Sequence, residues 1–234
     1  MNLAIIPARG GSKRLPRKNI KFFDGIPIIG HAINTAKKSM LFDKIIVSTD
    51  DDEIAATAKT FGAEVPFMRS KELAADHTPT VPVIKDAIQK QKEFLTPQSI
   101  VAAIYPCTPL MLPNDLALAF KKIESCEANY VLPVCKFPSP PERALILNEE
   151  MKTQSINSKH AWTRTQDLPN TFFDAGQFYL GYPKTWLSDT ELHNGSAAIL
   201  LPAWRSIDID TEEDWEFAER VYFTLKARGE RDFS

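Results

Sequence analysis

Cysteine is scarce in this chain: Cys107, Cys126 and Cys135 are all there is. An odd number at that spacing builds neither a disulfide framework nor a zinc site, so the three read as small thiols in a reducing compartment. Charge of one sign is lacking too, because 28 Lys and Arg stand against 30 Asp and Glu, a net of −2. No global field recruits nucleic acid or an anionic membrane, and any anion binding must be local. No run approaches the ~20 apolar residues of a membrane helix. The N-terminus "MNLAIIPARGG" has neither the basic start nor the long apolar stretch of a signal peptide. A cytoplasmic location is therefore expected, and the sequon at Asn194-Gly195-Ser196 carries no meaning without secretion. Internal repeats, low-complexity tracts and interdomain linkers are likewise absent.

What is present is an ordinary globular mixture, 44% hydrophobic and 25% charged, in 234 residues. That length suits one α/β domain with a real core. "NLAIIP" (2–7), "KIIVSTD" (44–50), "AEVPFM" (63–68), "SIVAAIYP" (99–106) and "NYVLPVCKF" (129–137) read as strands. Helical patterns run through "IIGHAINTAKKS", through "EIAATAKTFG" behind a capping pair at Asp50 and Glu53, over 80–95, and after Pro113. A last helix carries Trp215, Ala218, Tyr222 and Leu225 on one side, with Thr211 and Asp214 as a capping box. Strand and helix alternate through residue 135, which implies a mainly parallel, Rossmann-like sheet with helices on both faces. The alternation fails over 136–172, a proline-rich then polar stretch expected to be a long loop or a small projecting hairpin within the single domain.

"IIPARGGSKRLPRKN" (5–19) concentrates charge on this neutral background, with five cations between residues 9 and 18. It is not a Walker loop, since Gly10-Gly11 are followed by Ser12-Lys13-Arg14 with no glycine directly before the lysine, and it lacks the three glycines of a dinucleotide fingerprint. The chemistry nevertheless suits a polyphosphate. Gly10 and Gly11 let backbone N–H groups turn toward an anion, Arg9, Lys13 and Arg14 neutralise its oxygens, and Asn19 offers an amide to a base or sugar edge. Ligands of open α/β sheets gather at the carboxyl ends of strands, where this loop lies. The alternative is a solvated loop with scattered cations. In "IDIDTEEDW", Asp208 and Asp210 project to one side of an extended segment. Two crowded carboxylates call for a cation, most simply Mg²⁺, which also meets phosphate oxygens. The alternative is a helix cap at Asp210 beside a solvated Asp208.

At these residues the chain resembles the CMP-sialic acid synthetase family of cytidylyltransferases. "IPARGGSKRLPRKN", "VSTDDDEIA", "RSKELAADHT", "RTQDL" and "IDIDTEEDW" follow in the family's order and span nearly the whole chain. The resemblance implies a nucleotidyltransferase-type fold and a reaction in which CTP and an acidic 2-keto sugar give a CMP-sugar and pyrophosphate with Mg²⁺. It implies a triphosphate site at Ala8, Arg9, Gly10, Gly11, Ser12, Lys13 and Lys18, and a base and ribose site at Asn19, Arg69, Thr78 and Thr80. Arg9, Lys13 and Lys18 would stabilise the leaving pyrophosphate, and Asp208 and Asp210 would hold the metal. It also implies a homodimer built through the 136–172 lobe.

The sugar pocket departs from the neuraminate pattern. Tyr105 in "IYPCTPLM" and "DAGQFYLG" (174–181) are similar to the pseudaminate branch of the family, whose product would point to surface glycans or flagellin modification. Pseudaminic acid is a nine-carbon acidic sugar with an extra amino substituent and a 9-deoxy methyl group. Tyr105, Met111, Phe178 and Tyr179 would give it an apolar or aromatic lining, with ordinary core packing as the alternative. Lys136, Arg164 and Gln166 are candidates for the sugar carboxylate and substituents, and Asp174, Gln177 and Tyr179 complete the expected sugar site. Rival readings are a cytidylyltransferase for neuraminate, legionaminate or 3-deoxy-octulosonate, and a non-catalytic nucleotide-binding regulatory module.

Overall fold

The computed structural model describes residues 1–230. Its elements are, in chain order, β1 (Leu3–Pro7), β2 (Phe22–Phe23), β3 (Ile26–Pro27), α1 (Ile28–Lys38), β4 (Lys44–Ser48), α2 (Asp52–Thr60), α3 (Thr80–Lys90), β5 (Val101–Ile104) and α4 (Pro113–Ser125). They continue with β6 (Tyr130–Lys136), β7 (Leu145–Leu147), β8 (Thr153–Ser155), β9 (Phe172–Asp174), β10 (Phe178–Gly181), α5 (Pro183–Leu187), β11 (Ala197–Leu200) and α6 (Glu212–Ala227). The central sheet has the order β11-β6-β10-β5-β1-β4, with β9 on the edge of β6. Neighbours β1, β4 and β5 run parallel, as do β11 and β6, while β10 runs antiparallel between β5 and β6. The expected mainly parallel sheet is therefore present, with one reversed strand inside it.

Period-two alternation in β1 feeds both faces. Ala4 and Ile6 pack with Ile29 and Ile33 of α1 and Leu116 and Ile123 of α4. Leu3 and Ile5 pack with Ile84 and Ile88 of α3 and Trp186 of α5. The four β1 residues are fully buried, each worth about 2 kcal/mol in transfer terms for the larger side chains. A third cluster joins Leu15, Phe23 and Ile28 to Ile209 and to Trp215, Ala218, Tyr222 and Leu225 of α6. It ties the two ends of the sequence together beside the carboxyl edge of β1.

Several expectations are corrected. Residues 63–68 form no strand; only two bridges form, Ile46 with Glu64 and Thr49 with Met68, and Pro66 between them has no N–H for a ladder. The cap of α2 is Asp51, which accepts the N–H groups of Glu53 and Ile54, and not Asp50. β4 stops at Ser48, and the helix expected over 80–95 ends at Lys90 before a single 3₁₀ turn over Lys92–Phe94. β10 and β11 were not anticipated as strands. Within 136–172, β7 and β8 form their own two-stranded ribbon with Leu145, Ile146 and Leu147 exposed. Thr211 and Asp214 cap α6 reciprocally, as expected. Among the described residues no helix is long and apolar enough to cross a membrane.

The reversed strand β10 is admitted by a glycine. A Cβ on Gly181 would lie 2.7 Å from the Tyr130 ring and 2.9 Å from Trp186 Nε1. Those rings meet edge to face at 4.8 Å, and Trp186 Nε1 donates to the Val101 carbonyl at 3.1 Å. Gly181→Ala should therefore destabilise the fold by about 1–3 kcal/mol through overpacking, read as a lower midpoint in a urea melt.

Candidate active site

The loop after β1, the segment 69–80, the end of β5, the turn between β9 and β10, and the segment before α6 all open on one cleft of about 920 Å³. That volume suits a nucleotide with part of a second substrate. Arg9, Ser12, Lys13, Arg14, Lys18 and Asn19 line it, and so do Asp208 and Asp210. The two ends of the chain thus converge on one space.

Two buried anchors explain the convergence. Leu15 lies inside the cation loop and Ile209 between the two aspartates, and both sink into the third cluster. With Ile209 pointing inward, alternation turns Asp208 and Asp210 outward. Lys18 Nζ then donates to the Ile209 carbonyl at 2.6 Å and to Asp210 Oδ1 at 3.1 Å. Asn19, itself buried, closes the loop by donating Nδ2 to the Arg9 carbonyl at 2.8 Å, and its Oδ1 accepts the Cys107 Sγ hydrogen.

Each cation of the loop meets a carboxylate. Asp76 holds Arg9 and Lys13, and Asp210 takes Arg14 at 2.6 Å as well as Lys18. Arg17 sits at φ 57° in the left-handed region, and its guanidinium is held by Asp51 and Glu53 on α2. Its pairing with Arg17 lowers the Asp51 pKa below the usual aspartate value. Lys13 first, then Arg9, pull the Asp76 carboxyl down to about 2, so it is ionised throughout the neutral range. The Gly10 N–H is engaged within the protein: it donates to Asp50 Oδ1 at 2.9 Å, and a Cβ there would lie 2.8 Å from Asp51 Oδ2. Ala8 is buried, and neither glycine of the pair lines the cleft.

The acidic pair behaves differently at its two members. Asp210 is spoken for by Lys18 and Arg14. Asp208 has its pKa raised, by burial first and then by the Asp210 charge. Among the described residues no hydrogen bond or ion pair satisfies its carboxylate. Nor do they include a cluster of three or more His, Cys, Asp and Glu able to hold a metal alone. Two hard oxygen donors of like charge still fit a divalent cation that draws its remaining ligands from phosphate and water.

The other wall carries the polar residues expected for base, ribose and sugar. Arg69 is buried and donates Nε to Ser48 Oγ at 3.1 Å and Nη2 to the Ser48 carbonyl. Burial lowers its pKa to about 10, and it remains a cation at neutral pH. Thr78 Oγ1 donates to the Glu72 carbonyl at 3.0 Å, and Thr80 Oγ1 pairs with the Tyr105 hydroxyl at 2.7 Å. Tyr105 and Tyr179 meet edge to face at 5.8 Å, and Tyr179 donates to Asp174 Oδ2 at 2.8 Å.

Other expected sugar residues lie elsewhere. Met111 and Phe178 are fully buried in the core, so core packing accounts for them. Gln177 is buried too, and its Nε2 donates to the Arg205 carbonyl at 2.7 Å. Lys136 ends the exposed tip of β6, while Arg164 and Gln166 stand exposed on the 136–172 segment, Arg164 paired with Asp167 at 2.7 Å. None of these lines the cleft of this chain. Reading the sequence missed Asp76 and Cys107 in the lining, as well as the brace from Asp50 and Asp51. Asp76 was discoverable, being the one carboxylate inside "AADHT", between residues expected to face the nucleotide. Cys107 is held as a thiol, its pKa pushed up to about 12 by burial.

A cleft of this construction, opened by a glycine-spaced cation loop after the first strand and faced by an acidic couple, is that of a nucleotidyl-transferring enzyme. The chain belongs to the cytidylyltransferase family, whose family model matches residues 3–222. It is 38% identical over 222 residues to a pseudaminic acid cytidylyltransferase of Campylobacter jejuni, covering 94% of this chain and 96% of that one. It is 34% identical to N-acylneuraminate cytidylyltransferase B of Danio rerio over 93% of this chain and 50% of that protein. Its fold is that of a CMP:2-keto-3-deoxy-manno-octonic acid synthetase solved with CTP, at TM-score 0.70 and 16% identity, covering 97% of this chain and all of that one.

Asp76 neutralises two cations, Arg9 and Lys13, that line the cleft. Asp76→Asn should tighten the binding of inorganic pyrophosphate by a few-fold, as measured by titration calorimetry, because the anion no longer competes with a resident carboxylate.

Proposed function

We propose that this protein joins CTP to pseudaminic acid, giving CMP-pseudaminic acid and pyrophosphate. The observation that carries the reading is the meeting of Lys18, Asp208 and Asp210 with the Tyr105–Tyr179–Asp174 wall in a single cleft of a cytidylyltransferase. The similarity to a pseudaminic acid cytidylyltransferase over nearly the full length of both chains supports the choice of sugar.

The reaction is one in-line displacement. The anomeric hydroxyl oxygen of the sugar forms a bond to the α-phosphorus and gives up its proton to water, the bond to the bridging oxygen breaks, and pyrophosphate departs. Such chemistry rests on positioning and charge neutralisation. Arg9, Lys13 and Lys18 stabilise the charge that builds on pyrophosphate as they exchange carboxylates for phosphate oxygens. Arg69, Thr78 and Thr80 orient the base and ribose. Asp208 and Asp210 would hold Mg²⁺, which supplies charge neutralisation at the phosphate oxygens when bound. Asp208, open to the cleft and short of hydrogen bonds, is the better placed of the two. The enzyme works in the cytoplasm as a homodimer, a reading supported by the free cysteines and by the exposed Leu145, Ile146, Leu147, Ile156 and Trp162 of the 136–172 segment. That segment also carries Arg164 and Gln166, which would meet a sugar only in a second subunit's cleft.

Pyrophosphate release measured with CTP and each of pseudaminic acid, N-acetylneuraminic acid, diacetyllegionaminic acid and 3-deoxy-octulosonic acid tests the sugar. Pseudaminic acid should give the highest kcat/KM; preference for another sugar replaces the substrate, and CTP binding without turnover of any supports a regulatory module. Asp208→Ala should cut turnover by about 100-fold or more with little change in thermal midpoint, since it removes an electrostatic element of the transition state and no packing. Near-normal activity would refute the metal assignment.

A further inference from the structure

One side chain beside the sugar end of the cleft has no part in the chemistry above. His193 lies in the loop between α5 and β11, and its Nε2 is 2.8 Å from Asp174 Oδ2. Asp174 is the last residue of β9 and faces the cleft. Its carboxylate collects three donors: the Tyr179 hydroxyl at 2.8 Å and His193 Nε2 on Oδ2, and the Gly176 backbone N–H at 2.8 Å on Oδ1. The His193 ring stands edge-on to Tyr179 at 6.5 Å, and Tyr179 is itself buried against Tyr105.

Three donors thus converge on one carboxylate. An ionised carboxylate only accepts hydrogen bonds. Tyr179 must then donate its single proton to Asp174, leaving only lone pairs on its oxygen. The wall is thereby fixed as a set of acceptors. It rejects the carboxylate of an acidic sugar by like charge and receives a group that donates, above all the N–H of an acylamino substituent. The sheet order puts β10 two places from β1, roughly 10 Å along the carboxyl edge at ~4.8 Å per strand. That is the span between a phosphate held by the loop and the far substituents of a sugar joined to it.

We propose that His193 is a positioning residue for sugar recognition: with Tyr179 it fixes the Asp174 carboxylate as the acceptor for an acylamino N–H of the sugar. The inference rests on the proposed reaction and deepens it at the sugar subsite. His193 itself does not line the cleft. Its loss frees Asp174 to rotate and removes one of the two clamps on Oδ2. The outer face of His193 is exposed, so its removal leaves no cavity in the core.

Steady-state kinetics with pseudaminic acid and CTP on wild type, His193→Ala and His193→Gln test it. His193→Ala should raise the KM for pseudaminic acid about tenfold, the scale of a hydrogen bond to a charged group, and leave the KM for CTP unchanged. Gln keeps an N–H donor at that reach, and His193→Gln should recover most of the sugar KM. An unchanged sugar KM in His193→Ala overturns the inference, as does an equal rise in both KM values that Gln does not rescue, which marks a tie of the loop alone. Absence of wild-type turnover with pseudaminic acid overturns the proposed substrate, and this inference falls with it.

Discussion

Lys18 is the residue on which the site depends. It joins residues 191 and 192 positions away, through the Ile209 carbonyl and the Asp210 carboxylate. Neither bond would hold in isolation, since a lysine ordered against solvent loses rotamer entropy. The buried pair Leu15 and Ile209 makes it hold, because their apolar contacts fix both backbones before any charge is placed. The electrostatics of the cleft are thus positioned by packing. A protein of net charge −2 can in this way present five cations on one loop without a basic surface.

The same segment is fastened from below. Arg205 and Asp115 form a buried two-pronged pair at 2.6 and 3.0 Å, with Asp115 also accepting the Leu112 N–H at the start of α4. Gln177 reaches the Arg205 carbonyl, and Ser206 Oγ donates to the Ala175 carbonyl at 3.1 Å. Residues 205–210 therefore run from a buried ion pair to the acidic couple. The residue expected to bind sugar, Gln177, instead helps to set the height at which Asp208 enters the cleft.

How much of this was legible in the sequence follows from how local each signal is. The apolar run of β1 and the capping box at Thr211 are local patterns, and both were readable. The alternation of Asp208 and Asp210 was readable because period two belongs to any extended segment. The reversed strand β10 was not, since "FYLG" has no feature that distinguishes parallel from antiparallel pairing, and the strands it pairs with, β5 and β6, lie far back in the sequence. The cap of α2 falls one residue from the expected position because "STDDDE" offers four carboxylates in a row and only the tertiary pull of Gly10 and Arg17 sorts them. Gln177 and Phe178 were credited to the sugar because a residue-by-residue likeness carries over position without saying which face a side chain takes. His193 had no signal of any kind, standing in a polar loop with nothing periodic around it.

The ion pairs in the cleft and beneath it divide by burial into two kinds with different consequences. Arg205 and Asp115 are almost wholly enclosed, and separating such a pair would leave a charge stranded at a cost of about 3–5 kcal/mol. They are a fixture. Arg9, Lys13 and Arg14 meet Asp76 and Asp210 in partial solvent, where a pair is worth about 0–1 kcal/mol. A triphosphate brings several formal charges and many more oxygens to the same cations. It can displace such partners at little expense, whereas it could not displace Asp115. On the proposed reaction, weak pairing at the cation loop would hold these side chains in order without a nucleotide and let them be given up to one.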